Sequence, residues 1–277
     1  MSQGSTGPGP VPSGSLESTS RFYNSLKSVR EFDQYEIDGV IKTLLSKTNR
    51  EQCFIATYYR AVANVDTLLK LESVKHFQAV AMLARTLFEL AVDARLLELV
   101  PAAGPERMVL FADLEKLRCA KKLVAFKKSN PSFALDITSY EAFVLNEAAR
   151  IDLAHKTLWP KLKKVDHWSG RNLGERVALV GAPFDEFHEA YYPLLSWYVH
   201  SGLTGVINLQ EEALITMCGI AFRLSAESYS EILLAMIREF KIEKGNEKVK
   251  EKLKAAKLLP FTDGPEEASQ VFRKLLG

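Results

Sequence analysis

Cysteine is scarce in this sequence: Cys53, Cys119 and Cys218 are far apart and odd in number. That pattern suits neither a disulfide framework nor a closely spaced zinc ligand set, and a cytoplasmic location is the expectation. Long apolar runs are also missing. No stretch reaches the ~18 uninterrupted apolar residues of a membrane span, and the first residues lack the charged start and apolar core of a secretory signal. Charge of one sign is lacking too, because 36 Lys+Arg against 34 Asp+Glu leave a formal charge of +2. Any footprint for nucleic acid must therefore be local, and no membrane surface is expected as a partner. The chain has no glycine-rich phosphate loop of either nucleotide-binding kind. His155, His167, His188 and His200 form no close ligand pair, so neither a metal nor a cofactor is expected.

What is present is the composition of a globular chain, 47% hydrophobic and 25% charged. Residues Met1–Ser20 are dominated by Gly, Pro, Ser and Thr, which bury too little to offset the entropy of ordering, and read as a disordered tail. Beyond it the apolar spacing is helical, as in Ile37, Val40, Ile41, Leu44 and Leu45. The spacing predicts helices over about 34–47, 50–71, 74–99, 106–127, 140–158, 172–179, 183–200 and 210–239, with Ser73 and Asn172 as N-caps. The helix over 74–99 is the most continuously apolar and reads as the central one. No alternating strand pattern appears. The expected fold is all-α, an extended bundle of about eight to ten helices spanning 21–240, followed by a Lys-rich amphipathic extension over 241–277.

One pattern carries chemistry. Arg85, Glu89 and Asp93 fall four residues apart on a helix otherwise nearly free of charge, so they share a stripe on a surface expected to be buried. Buried ions need a partner or a ligand; a structural ion pair to a neighbouring helix is the plainer reading, a ligand site the sharper one. A second stripe, Tyr192, Ser196 and His200, repeats the spacing downstream. Facing each other, the stripes would offer a guanidinium, a carboxylate, a phenol, a hydroxyl and an imidazole, a set suited to a small anionic or polar ligand. Pro193 either kinks the 183–200 helix beside this stripe or marks where it restarts.

The strings ARTLFELAVDARLL, HWSG and YYPLLSWYVHSG, in this order, resemble the bacterial all-helical family known as domain of unknown function 5677. The resemblance covers about 73–205. By position it marks Arg85 and Glu89, then Trp168 and Gly170, then Tyr192, Ser196 and His200, with Trp168 as a lid or wall of the ligand site. It implies membership of a site and no activity; a bacterial defence or stress role is the context expected from the type of family.

Two rival readings use other residues. Arg150 and His155 have the Arg-x4-His spacing and resemble metal-independent ribonucleases of the HEPN type, in which arginine steadies a phosphate and histidine does acid/base work, here across a homodimer. Asp152 stands one place later than that family's usual polar residue. Local lysine runs at Lys116–Lys128, Lys156–Lys164 and Lys241–Lys257 would hold RNA. The third reading is an interaction protein acting through the Lys-rich segment 241–257.

Overall fold

Apolar residues recurring every three and four positions fold as helices throughout. The computed structural model describes residues 16–44, 48–71, 73–100, 103–199, 211–242 and 251. Among them the chain is all-α, with no strand: α1 (Leu16–Glu36), α2 (Asp38–Thr43), α3 (Asn49–Leu68), α4 (Phe77–Leu99), α5 (Gly104–Ser129), α6 (Thr138–Leu158), α7 (Leu173–Val180), α8 (Phe184–Ala190), α9 (Tyr192–Val199) and α10 (Glu211–Glu239), with a 3-10 turn at Val74–His76. Caps explain several of the starts. Ser73 Oγ accepts from Lys75 N at the 3-10 turn. Asn172 and Glu175 exchange reciprocal side-chain to backbone bonds of 2.9 Å before α7, and Thr48 and Glu51 do the same before α3.

Three expectations change. The tail does not run to Ser20, because α1 starts at Leu16. Ser18, Phe22, Ser25, Leu26, Val29 and Asp33 all turn inward, and Thr19 Oγ1 donates to the Ile215 carbonyl at 2.8 Å. The helix expected over 34–47 is accordingly the end of α1 and the short α2. The helix expected over 183–200 is two helices, interrupted at Tyr191, with Pro193 in the first turn of α9, where its missing N–H costs no bond. The most buried helix is α10 rather than α4: residues Thr216 to Ser230 of α10 are all buried, whereas Met82 of α4 is exposed. Residues 1–15, Gly202 and the segment 241–277, apart from Lys241, Ile242 and Glu251, lie outside the described residues.

Where one domain is expected, the chain divides into two compact units. The first comprises Met1–Leu45, Phe54–Arg95 and Val177–Gly277. Within it α1 and α10 pack along each other, Tyr23 meeting Phe222 edge to face at 5.3 Å. The centre of this unit is polar as well as oily. The Asp33 carboxylate is fully buried. It accepts from Tyr58 of α3 at 2.8 Å, from Arg30 Nη1 at 2.7 Å and from Tyr229 of α10 through a short bond. Arg30 reaches on to both oxygens of Asp66. Burial pushes the Asp33 carboxyl up, against the opposing pull of the two phenols and Arg30, and the same burial beside Asp33 keeps Tyr58 and Tyr229 protonated.

The second unit comprises Ser46–Cys53 and Leu96–Arg176. Here α5 and α6 pack together around Leu110, Leu114, Leu117, Ile151, Trp159 and Val165. The loop after α6 is held by Arg118, which donates to the Val165 carbonyl at 2.7 Å, and by the Trp159 indole, which donates to Trp168 O at 3.2 Å. Gly170 closes this loop at φ +73°, a backbone conformation that favours glycine.

The polar centre of the first unit has a measurable consequence. Tyr229→Phe removes one of the two donors to Asp33 Oδ2, Arg30 Nη1 remaining, and should cost about 1 kcal/mol. Asp33→Ala, which removes the acceptor for all three donors, should cost about 3–5 kcal/mol. Urea unfolding followed by circular dichroism reads both, and Asp33→Ala should be the worse.

Candidate functional site

Position in the helix brings the first stripe together: Arg85 and Glu89 lie one turn apart on α4, and Tyr192 opens α9. Arg85 Nη2 donates to the Tyr192 hydroxyl at 2.8 Å, and that hydroxyl donates to Glu89 Oε1 at 2.8 Å. The two ions are thus bridged by a phenol. Arg85 Cζ also lies 4.7 Å from the Tyr192 ring centroid, a cation–π distance. The ring stacks on His188 at 5.4 Å and approaches Phe88 at 5.6 Å. Burial raises the pKa of the Tyr192 phenol, opposed by the bond from Arg85 and reinforced by Glu89. It therefore keeps its proton at neutral pH, which fixes the direction of the relay from guanidinium to phenol to carboxylate. Asp93, the third member of the stripe, is buried on the same helix.

Two groups of this constellation are left over. Arg85 Nε and Ser196 Oγ are buried, and among the described residues neither has a hydrogen-bond partner. The plain expectation for a serine inside a helix is a bond to the carbonyl four residues back. Ser225 and Ser230 of α10 make it at 2.7 Å; Ser196 does not. Ser196 lies one turn beyond Tyr192 and so on the same side of α9. His200 lies outside the described residues.

Trp168 belongs to the second unit. It is buried there, its ring 3.4 Å from where a Cβ on Gly104 would stand, and Gly170 serves the adjacent turn. Trp168 Nε1 is buried without a hydrogen-bond partner among the described residues. Arg150 and His155 are also in the second unit. Arg150 is exposed and held by Glu147 at 2.7 Å and Asp113 at 3.0 Å, while the His155 ring leans on Trp159 at 5.7 Å with its Nε2 buried and without a partner among the described residues. The two residues are five positions apart on α6, about 140° around the helix axis. Several of the lysines in the basic runs are engaged internally: Lys116 over the Phe143 ring at 4.3 Å, Lys121 with Asp152 at 3.5 Å, and Lys164 with Asp166 at 2.6 Å.

Sequence reasoning passed over a second basic–acidic pair, Arg223 and Glu227 of α10. Both are buried, with Arg223 Nε 3.9 Å from Glu227 Oε1. Arg223 Cζ lies 5.6 Å from the Phe22 ring and 5.9 Å from the Tyr191 ring. Consecutive tyrosines at the α8–α9 junction are therefore each held by an arginine, Tyr191 by Arg223 and Tyr192 by Arg85. The signal was the one that singled out Arg85 and Glu89: opposite charges at i and i+4 on an apolar helix. Burial pushes the Glu227 carboxyl up to about 8, with Arg223 opposing and Glu231 adding to the rise.

Comparison with known proteins yields one family. The model described as Family of unknown function (DUF5677) matches residues 52–213, more than half of the chain and all of the Arg85 constellation. No curated protein and no solved structure is significantly similar to the chain.

The raised Glu227 carboxyl predicts a pH signature. The folded chain holds a proton on Glu227 up to about pH 8, whereas an unfolded glutamate releases it near 4.3. The folded state thus binds more protons across that window, and stability falls as pH rises through it. Asp33 contributes in the same direction. Glu227→Gln should flatten the decline and raise stability at pH 8 relative to the unmodified chain, as read by urea midpoints at pH 5, 7 and 8; an unchanged pH profile would refute the buried, protonated Glu227.

Proposed function

The chain belongs to this family of unknown function, and from that premise we propose that the constellation of Arg85, Glu89, Tyr192 and Ser196 binds a small anionic or polar ligand. The observation that carries the reading is the pair of unsatisfied buried donors, Arg85 Nε and Ser196 Oγ, on the two helices that the Arg85–Tyr192 bond already joins. Arg21 Nε, Arg107 Nε and Trp168 Nε1 are also buried without a partner among the described residues; what sets Arg85 Nε and Ser196 Oγ apart is that both donors lie on the helices of one relay, where a single acceptor would satisfy the pair. An oxygen of a carboxylate, phosphate or carbonyl accepts from both, and a guanidinium makes that bond charge-assisted. Glu89 takes up the far side of Arg85 through the phenol, which leaves Nε for the ligand. His200, which follows Ser196 by the same four-residue interval in the sequence, is read as a further donor.

The residues support binding more directly than reaction. Tyr192 keeps its proton, and Ser196 has no base among its hydrogen-bond partners, so no activated nucleophile is assembled from the described residues.

Thermal unfolding in the presence of inorganic phosphate, nucleoside monophosphates and small mono- and dicarboxylates tests the proposal. At a hundredfold excess over Kd a true ligand adds about 2.7 kcal/mol of stability. Arg85→Lys and Ser196→Ala should each erase most of that gain while the unliganded protein still melts cooperatively. A gain that survives both substitutions, or the absence of a gain from every class of anion, would overturn it.

A further inference from the structure

The inner face of α6 is occupied: Val144, Ala148, Ile151 and Leu158 pack into the cluster built on α5. Its outer face carries a second apolar line. Ala142, Leu145, Ala149 and Leu153 recur at three- and four-residue intervals, within about 40° of Ala149 around the helix axis. All four are exposed, Leu145 at 84% and Leu153 at 68%. One exposed leucine is ordinary on a soluble protein. Two in line, on a helix whose opposite side is already in a core, form a surface suited to contact.

We infer that this face docks against the same face of a second copy of the chain, with the two α6 helices antiparallel and Ala149 at their crossing. The register is self-complementary. About a two-fold axis beside Ala149, Leu145 stands opposite Leu153 of the second copy, and Lys156 opposite Ala142 and beside Glu141; each contact occurs twice, as a two-fold interface requires. Charge selects the direction. A parallel pair would place Lys156 on Lys156, whereas the antiparallel pair sets Lys156 against Glu141. An alanine falls at the crossing, where the backbones come closest. The sequence also resists a purely solvated reading of this face, because Leu145 and Leu153 occupy positions at which the rest of the exposed surface of α6 carries Glu141, Asn146, Arg150, Asp152 and Lys156.

One helix face of about four turns covers less than the roughly 800 Å² per partner of a standard interface, so the dimer is a concentration-dependent one. Sedimentation equilibrium of the full chain, from low to high micromolar concentration, should show mass rising from one copy to two. Leu145→Glu and Leu153→Glu should each weaken association by about tenfold or more, with helicity and unfolding midpoint unchanged because both side chains are exposed. Glu141→Lys should also weaken it, and the double variant Glu141→Lys/Lys156→Glu should restore it. A chain that stays monomeric throughout, a dimer indifferent to Leu145→Glu, or a charge exchange that fails to restore association would each overturn the inference.

Discussion

Burial of the Asp33 carboxylate is the constraint on which the first unit depends. A carboxylate removed from water must be met by donors, and the donors come from elements far apart in the chain: Tyr58 on α3, Tyr229 on α10, and Arg30 on the same helix as Asp33. Hydrophobic contact between α1 and α10 would tolerate sliding, since apolar area is indifferent to direction. Hydrogen bonds are not, and three donors on two carboxylate oxygens leave one register for the three helices. Arg30 carries the constraint outward, because its second carboxylate, Asp66, ties it to the far end of α3.

The same logic organises the α8–α9 junction. Tyr191 and Tyr192 are adjacent in sequence and point to different helices, one toward Arg223 of α10 and the other toward Arg85 of α4. A helix interrupted at this point can direct consecutive side chains to two neighbours, which an unbroken helix with successive residues 100° apart does less readily. The junction therefore sets where α9 begins, and with it where Ser196 falls relative to Arg85. The polar relay is closed on the side of Glu89, whereas Arg85 Nε and Ser196 Oγ are buried without a hydrogen-bond partner among the described residues.

Much of this was legible in the residues. Three- and four-residue spacing located six of the eight expected helices to within a few positions, and charge on an otherwise apolar helix pointed to Arg85 and Glu89. The expectation failed where composition and position disagree. A stretch rich in serine and threonine reads as tail, yet Ser18 and Thr19 are buried in α1 because they lie against α10. Asp33 was invisible because a single acid in a mixed segment carries no periodic signal, and Tyr58 and Tyr229 look like ordinary core aromatics until the carboxylate between them is seen. Trp168 and Gly170 were legible as a motif and not as a purpose. Their contacts are with Gly104, Leu162 and Trp159, which identifies a packed turn.

The sequence by itself determined the all-helical class, the family, and the stripe of charge on α4, because helical period and local spacing are properties of neighbouring residues. Only the tertiary structure decided that a phenol more than a hundred positions away joins Arg85 to Glu89, that Ser196 forgoes its own helix, and that Asp33 holds three helices in register. These are contacts between distant segments, and they depend on which faces meet when oily surfaces leave water, a choice that no local pattern encodes.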